Sequence, residues 1–325
     1  MIIITLKLYE VGMDMFSNKD YVLEVFNEKS FSKASQNLYI SQPSLSASIR
    51  RIELKIGAPI FNRATKPITL TDIGKEYIEK ALQIKKIENE FSNYINDSLN
   101  IVKGNIKIGG SNLFVSYILP PIIAKFNKTY PGIDFSIFED KTTSLISMLL
   151  DGEIDIFIDN VFIANENITS YFYISETILL AVPKDYEINS KLERFKLSAD
   201  DIKNDVHLNK NFPCVSLDIF KNEPFILLKK ENDTGKKALQ LCKRHGFTPK
   251  IVFEIDQQVT AHNISTSGLG ISFVSDTLVK RTSEQNNIFY YKLSDEEIKR
   301  NIYFYTKSNH YITNAIRKFI DENTH

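Results

Sequence analysis

The spacing of apolar residues divides the chain into three regions. Over residues 14–72, apolar positions recur at helical intervals in short stretches that are joined by tight connections. Residues 73–102 follow one long helical pattern. From residue 104 onward, short apolar runs typical of strands alternate with helical patterns, which indicates an α/β architecture. The chain is therefore predicted to be multidomain, with a mainly α N-terminal domain, a long linker helix and an α/β domain over residues 104–325.

The first region predicts three helices in close succession. Helical spacing indicates one helix over residues 18–28 and a shorter one over residues 32–39. Ser41 suits the start of a third helix because its hydroxyl can accept a hydrogen bond from a free backbone amide. Pro43 falls in the first turn, where its missing N–H costs nothing. The third helix carries one apolar stripe, formed by Leu45, Ile49 and Ile52. A helix, a tight turn and a second helix in this order form the motif whose second helix enters the DNA major groove.

A hairpin wing with a basic tip is predicted after the third helix. Short extended pieces lie between Gly57 and Thr71, and Arg63 and Lys66 stand near their turn. The segment from Lys29 to Lys75 carries eight basic and two acidic side chains, although the formal net charge of the whole chain is +0. Such a basic block suits a local site for a polyanion. The alternative is a solvated charged face.

The motifs of these regions resemble the LysR-type transcriptional regulators. The resemblance rests on residues 30–46, SFSKASQNLYISQPSLS, and on the segments IRRIE, PIFNR and LTDIG that follow. It implies a DNA-binding transcription factor with a winged helix-turn-helix, a dimerising linker helix and a two-lobed effector domain like the periplasmic binding proteins. This chain departs from the family at Ala47, where arginine is frequent, and in a wing that is poorer in arginine.

Eight side chains of the helices and the wing make up the predicted DNA interface: Ser32, Ser41, Gln42, Pro43, Ser46, Arg50, Arg63 and Lys66. Gln42 is assigned to base readout because a glutamine can pair bidentately with adenine, a contact worth about 1–3 kcal/mol against the wrong base. Pro43 and Ser46 can contact a thymine methyl group or a phosphate. The three basic members are expected to hold phosphates, which adds salt-dependent affinity without base information. The alternative for Gln42 is a solvated position at a helix start.

Apolar residues repeat along the predicted linker helix in alternating steps of three and four. This seam, interrupted only by a lysine and a serine, comprises Leu70, Ile73, Tyr77, Lys80, Ile84, Ile87, Phe91, Tyr94, Ser98 and Ile101. So long a helix cannot bury its seam alone, so it packs on a partner or back onto its own chain. The resemblance favours a homodimer, which we expect to pair into a homotetramer. A dimer would place two recognition helices on double-stranded promoter DNA with dyad symmetry.

The α/β region begins with alternating strands and helices over residues 104–158, a pattern that predicts a parallel sheet. Ligands of such sheets bind at the carboxyl ends of the strands. Four residues fall there at helix starts, whose free amides suit a carboxylate or another anion: Ser111, Asn112, Thr142 and Thr143. Plain N-capping is the alternative role for them. A small-molecule effector is expected, and a carboxylate is one candidate for it.

The resemblance also implies how the two lobes divide the chain. Lobe one is expected over residues 104–179 and 279–325, and lobe two over residues 180–278. The chain would then cross between lobes near residues 179–183 and again near residues 274–278. Gln258 and Thr260 lie where lobe two is expected to face the cleft, and they complete the predicted effector site.

The sequence contains no motif of a catalytic, metal or cofactor site. Its five histidines are scattered without metal-ligand spacing, and no phosphate loop, nucleophile elbow or HExxH motif occurs. We therefore expect no enzymatic activity, no metal and no cofactor. Cys214 and Cys242 lie outside any CxxC motif, and they are either partly buried thiols or a redox pair.

Composition and targeting signals point to a protein of the cytoplasm. Hydrophobic residues make up 43% of the chain and charged residues 25%, a balance typical of soluble globular proteins. No apolar run reaches the roughly 18–20 residues of a membrane span, and no signal-peptide pattern occurs. Residues 1–12 look surplus to the motif block, so we expect Met13 or Met15 as the start. The rival interpretation is a cytoplasmic solute-binding or sensing protein without sequence-specific DNA binding.

Overall fold

The computed structural model describes residues 15–98, 103–282, 286–308 and 310–324. The chain divides into two compact units, with the division after Ser98. The last residues of the predicted linker helix, 99–102, and the expected start at Met13 lie outside the described residues.

The N-terminal unit begins with three helices: α1 (Lys19–Glu28), α2 (Phe31–Asn37) and α3 (Gln42–Ile56). Ser41 caps α3 by accepting a hydrogen bond from the amide of Ser44, and Pro43 lies in the first turn, as predicted. The stripe of α3 is buried, and it packs on α1 and α2 in one core. Helix α3 ends at Gly57, whose φ of 82° is a left-handed conformation that favours glycine. The predicted helix-turn-helix is confirmed.

The wing and the long helix complete this unit. Strand β1 (Phe61–Asn62) pairs antiparallel with β2 (Thr69–Leu70), and α4 runs from Asp72 to Ser98. Gly74 lets α4 start close to β1, since a Cβ atom there would lie 2.1 Å from the carbonyl oxygen of Ile60.

Helix α4 packs only part of its apolar surface inside this unit. Tyr77, Ile78 and Ala81 are buried in the shared core. Farther along, Lys19 lies 2.8 Å from Glu88 in an ion pair that joins α1 to α4. The remaining apolar side chains that are exposed on α4 are Ile73, Leu82, Ile87, Phe91, Tyr94 and Ile95.

In the C-terminal unit, lobe one has the sheet order β4-β3-β5-β11-β6. Its strands are β3 (Gly104–Gly110), β4 (Ile133–Glu139), β5 (Ile156–Asp159), β11 (Lys299–Lys307) and the first part of β6 (Ile168–Pro183). The first three are parallel, as predicted, whereas β11 pairs antiparallel with β5 and β6. Its helices are α5 (Leu119–Thr129), α6 (Thr142–Asp151) and α11 (Asn314–Asp321), and a π-helical turn, Phe114–Ile118, leads into α5.

Lobe two is built on the second part of β6, in the order β10-β6-β9-β7-β8. Its other strands are β7 (Pro224–Leu228), β8 (Lys250–Ile255), β9 (Ile271–Ser275) and β10 (Ile288–Lys292). Its helices are α7 (Ala199–Lys203), α8 (Asp233–Arg244), α9 (Gln258–Thr266) and α10 (Asp276–Arg281). None of the helices in the described part of the chain has the length and apolarity that a bilayer crossing requires.

Strand pairing locates both crossings between the lobes, the first only two residues before the expected place. Residues 168–177 of β6 pair with β11, and residues 178–183 pair with β9 or β10, so the first crossing lies at Thr177. The return was expected near residues 274–278, but β10 still pairs with the lobe-two part of β6. The return therefore lies between β10 and β11. Lobe two consequently extends to Lys292, the last residue of β10, because β10 is a strand of its sheet.

Candidate DNA-binding face and effector cleft

Seven of the eight residues predicted to contact DNA are exposed on the N-terminal unit. Burial of the α3 stripe turns Gln42, Pro43 and Arg50 to solvent. Ser32 on α2 and Lys66 in the wing are also exposed, and among the eight only Ser46 is half-buried. The side chains are therefore available to a duplex without rearrangement of the core.

Arg63 is held by the recognition helix instead of extending freely from the wing. Its Nη1 donates a hydrogen bond to Ser46 Oγ at 3.1 Å, and its Nη2 donates to Glu53 Oε2 at 2.8 Å. The guanidinium also lies 5.0 Å from the centre of the Phe31 ring. Glu53 Oε1 accepts the backbone N–H of Ile60 at 2.9 Å, which ties α3 to the root of the wing. One predicted phosphate contact thus also orients the wing against α3.

Tyr39, in the turn between α2 and α3, is a further candidate for DNA contact that was not predicted from the sequence. It is 96% exposed, and its φ of 54° places the backbone in the left-handed region. An aromatic side chain two residues before the cap of the recognition helix is the available signal. Its phenol can donate a hydrogen bond to a DNA phosphate.

A cleft of about 1070 Å³ separates the two lobes of the C-terminal unit. The segments that follow β3, β4 and β5 form one wall, and those that follow β7 and β8 form the other. This position agrees with the general rule that ligands bind at the carboxyl ends of parallel strands. Five of the six predicted effector residues line it: Ser111, Asn112, Thr142, Thr143 and Gln258.

Contrary to the prediction, Thr260 does not line the cleft. Thr260 is exposed, and it is not among the described residues that line the cleft. It follows Gln258 by two positions, which on an α-helix is a rotation of about 200° around the axis. Gln258 therefore faces the cleft while Thr260 points away from it.

Some polar side chains of the cleft have hydrogen-bond partners within the protein, and others have atoms without one among the described residues. Thr142 Oγ1 donates to Asp159 Oδ2 at 2.7 Å, so this hydroxyl braces a neighbouring strand end instead of capping α6. Gln258 is only 7% exposed, and its Oε1 accepts a hydrogen bond from Ser275 Oγ at 3.0 Å. Its Nε2 has no hydrogen-bond partner among the described residues. Neither α6 nor α9 has a side-chain cap at its N-terminus.

A buried network at the crossing between the lobes was not predicted from the sequence. Arg300 on β11 donates through Nε to Glu176 on β6, and through Nη1 to Thr234 Oγ1 at 2.7 Å. Asn160 Nδ2 also donates to Glu176, at 3.0 Å. The network therefore joins the lobe-one wall to the lobe-two wall. Burial raises the pKa of the Asp159 carboxyl, an effect that hydrogen bonds and the charge of Arg300 oppose.

The two cysteines and His207 lie in different surroundings, and His207 has a partner in the core. Cys242 is buried, and burial raises the pKa of its thiol to about 12, whereas Cys214 is exposed. His207 pairs with Asp276 at 2.9 Å in the core of lobe two. Within the described ranges, no group of three or more candidate ligands is suited to hold a metal ion.

Two family models match the chain. One, described as "Bacterial regulatory helix-turn-helix protein, lysR family", covers residues 19–75, which contain the three helices and the wing. The other, described as "LysR substrate binding domain", covers residues 101–323, which contain both lobes. The boundary between the two matches falls within and just beyond α4.

Curated relatives match along nearly the whole chain. The uncharacterized HTH-type transcriptional regulator YcgK of Bacillus subtilis (strain 168) is 28% identical over 302 residues, which are 93% of this chain and 91% of that protein. The probable RuBisCO transcriptional regulator of Trieres chinensis is 26% identical over 304 residues, 92% of each chain.

Solved structures share the fold at lower identity. Full-length CbnR complexed with its target DNA matches with a TM-score of 0.64 at 16% identity, covering 95% of this chain and 98% of that chain. HinK, a LysR family transcriptional regulator from Pseudomonas aeruginosa, matches with a TM-score of 0.54 at 20% identity, covering 93% and 94% of the two chains. These likenesses show that the fold is shared.

Proposed function

Since this chain belongs to the LysR family of bacterial transcriptional regulators, we propose that it binds promoter DNA in a sequence-specific manner. A small-molecule effector held between the two lobes modulates that binding or the bending of the DNA. The observation that carries the proposal is an exposed recognition helix in the same chain as a polar cleft. Residues 14–72 are the DNA-binding domain, residues 73–102 the linker helix and residues 104–325 the effector-binding domain.

On the DNA, we assign base readout to Gln42, because it stands exposed in the first turn of α3. Pro43 and Ser46 contact the neighbouring base edge or sugar. Arg50 and Lys66 hold phosphates together with the hydroxyls at the starts of α2 and α3. Arg63 contributes less free charge than its position in the sequence indicates, since Glu53 pairs with it.

The protein acts as a homodimer that pairs into a homotetramer. The support for a dimer is the set of apolar side chains that α4 leaves exposed, above all Ile87 and Phe91. Two such helices side by side bury these surfaces and hold two recognition helices at the spacing of a palindromic site. We place the protein in the cytoplasm, because it acts on promoter DNA.

Neither a catalytic function nor solute binding alone is favoured. The helix-turn-helix match over residues 19–75 belongs to regulators, and it has no role in a protein that only captures solutes. We propose no enzymatic activity, because the polar residues of the cleft are arranged as hydrogen-bonding walls and not as a nucleophile with its base.

The experiment is a gel-shift titration of the full chain on the DNA upstream of its own gene and of the neighbouring divergent gene. We expect a shift that weakens steeply as salt rises, because phosphate contacts release counterions. A Gln42→Ala variant serves as the matched control, since it should keep nonspecific binding and lose preference for the site. Equal affinity for the promoter fragment and for a random duplex of the same length would contradict the proposal.

A further inference from the structure

The cleft carries more negative than positive charge. Among the described residues that line it, six carboxylate side chains face four cationic ones. One pair is internally neutral, because Lys229 Nζ lies 2.8 Å from Asp256 Oδ2 at the rim. The remaining excess of carboxylates is unfavourable for an effector that carries only negative charge.

Two of the six lining carboxylates, Asp159 and Asp233, lie near the guanidinium of Arg300, as does the buried Glu176. Arg300 is buried and donates to Glu176, and its Nη1 lies 4.0 Å from Asp233 Oδ2. The charge of the same guanidinium lowers the pKa of the Asp159 carboxyl, which opposes the larger effect of burial. Asp233 Oδ2 also lies 2.9 Å from Lys237 Nζ, so the three carboxylates share two nearby cations and one carboxylate remains in excess. Glu176 Oε2 is buried and lacks a hydrogen-bond partner among the described residues. A positively charged group on the ligand would balance this surplus.

A separate set of hydrogen-bond donors in the same cleft is suited to an anionic group of the ligand. Gln258 is more than nine-tenths buried, and its Nε2 donor has no acceptor within the described part of the chain. It opens α9, a helix of nine residues without a side-chain cap. The facing helix α6, of ten residues, is also uncapped. Unpaired amides at helix starts bind anionic groups, and a ligand carboxylate would satisfy both the amides and Gln258.

The two kinds of group meet at one edge of the lobe-two sheet. Asp233 opens α8 after β7, and Gln258 opens α9 after β8. Strands β7 and β8 are neighbouring and parallel, so the residues that follow them lie side by side. An acceptor of positive charge and a donor for negative charge are thereby presented together.

Apolar side chains cover much of the lobe-one wall. Leu113, Ile146, Val161, Phe162 and Ile163 line the cleft, and Phe162 is 70% exposed. An exposed aromatic ring at a polar site provides a contact for an apolar part of the ligand.

We infer that the effector is an α-amino acid with an apolar side chain, an inference that rests on the proposed regulatory function. Its carboxylate binds Gln258 and the uncapped starts of α6 and α9. Its ammonium group binds at Asp159 and Asp233, and its side chain packs on Phe162 and the neighbouring aliphatic residues.

The test measures thermal unfolding of the full chain with valine, leucine, isoleucine, methionine or phenylalanine at about 10 mM, enough to saturate sites with a Kd of about 1 mM or tighter. Each active amino acid is then compared with two analogues that lack one charge. For leucine these are 4-methylpentanoate and 3-methylbutylamine, and for phenylalanine 3-phenylpropanoate and 2-phenylethylamine. We expect an upward shift of Tm with at least one amino acid and binding at least about tenfold weaker for both of its analogues.

Variants distinguish recognition from general damage. Gln258→Glu should weaken amino-acid binding and raise the relative affinity for the amine. Asp233→Asn should raise the relative affinity for the deaminated acid. Thr260→Ala, on the same helix but outside the cleft, should leave all affinities unchanged. A change in preference among three ligands cannot arise from a mere loss of folded protein.

The outcomes separate the inference from the proposed function. No Tm shift with any of the five amino acids, or equal binding of the deaminated acids, overturns the zwitterion inference. In either case, a gel shift of promoter DNA by the same preparation leaves the regulatory function standing. Amino-acid binding without any DNA binding instead overturns the proposed function, on which the inference rests.

Discussion

Arg63 of the wing donates a hydrogen bond to Glu53 of the recognition helix over 2.8 Å. Glu53 also accepts the backbone N–H of Ile60 at the root of the wing. One carboxylate therefore sets the position of the hairpin relative to the helix that enters the groove. These bonds could not be predicted from the sequence. Arg63 and Glu53 are ten positions apart, and the sequence does not specify the course of the turn between them.

Glu53→Ala should destabilise the N-terminal unit by about 1–3 kcal/mol, because it leaves partly buried amides without an acceptor. The measurement is the midpoint of urea unfolding of the full chain. Glu76→Ala, an exposed position on α4, is the matched control and should change the midpoint little. Equal effects of the two variants would show that Glu53 contributes no bond of consequence.

Gln42→Ala should relax base preference at one position of each half-site, at a cost of about 1–3 kcal/mol for the preferred sequence only. Arg63→Ala should instead weaken binding to all sequences and lower the salt slope by less than about 1, because Glu53 already pairs with its charge. Gel shifts on operator variants at several salt concentrations measure both effects. The reverse pattern would show that Arg63 reads bases and Gln42 does not.

Ile87→Glu or Phe91→Glu on α4 should weaken the dimer, because each places a charge in the surface that we assign to the partner helix. Leu82→Glu is the matched control. Leu82 is also exposed on α4, but it lies about 140° around the helix axis from Ile87. Sedimentation velocity should show dissociation at micromolar concentration for the first two variants and an unchanged dimer for the control. If Leu82→Glu dissociates the dimer as well, the partner surface has been assigned to the wrong face.

His262 should make the effector domain lose stability on acidification. Burial lowers the pKa of His262 from 6.5 to about 4, so the folded state binds fewer protons than the unfolded state between these values. The contribution is fully present above the unfolded pKa of 6.5, and it is lost as the pH falls toward 4. The whole loss amounts to about 3 kcal/mol.

The measurement is the free energy of unfolding from pH 7 to pH 5, compared with that of His262→Gln. The glutamine amide can still bond to the hydroxyl of Tyr290, which lies 2.8 Å from His262 Nε2. The variant should show a flatter pH dependence than the wild type. Identical slopes would indicate that His262 is not buried as a neutral ring.

Local sequence determined the helix-turn-helix, because its signals act within a few residues. The stripe of Leu45, Ile49 and Ile52, the cap at Ser41 and the turn at Gly57 specify α3 without reference to distant parts of the chain. The same holds for the parallel strands β3, β4 and β5, whose apolar runs alternate with helical ones. Four of the six residues predicted for the effector site followed from the rule that parallel sheets bind at their carboxyl ends, and all four line the cleft.

Only the tertiary structure decided where the lobes divide and what forms the floor of the cleft. Strand β11 pairs with β6 over a sequence separation of more than one hundred residues, and the bond from Arg300 to Glu176 spans 124 positions. Periodicity within a short window contains no information about such pairings, because register is set by partners elsewhere in the chain. The sequence by itself therefore determined the elements and their chemistry. The long-range pairing of strands brought Glu176 and Arg300 together between the lobes.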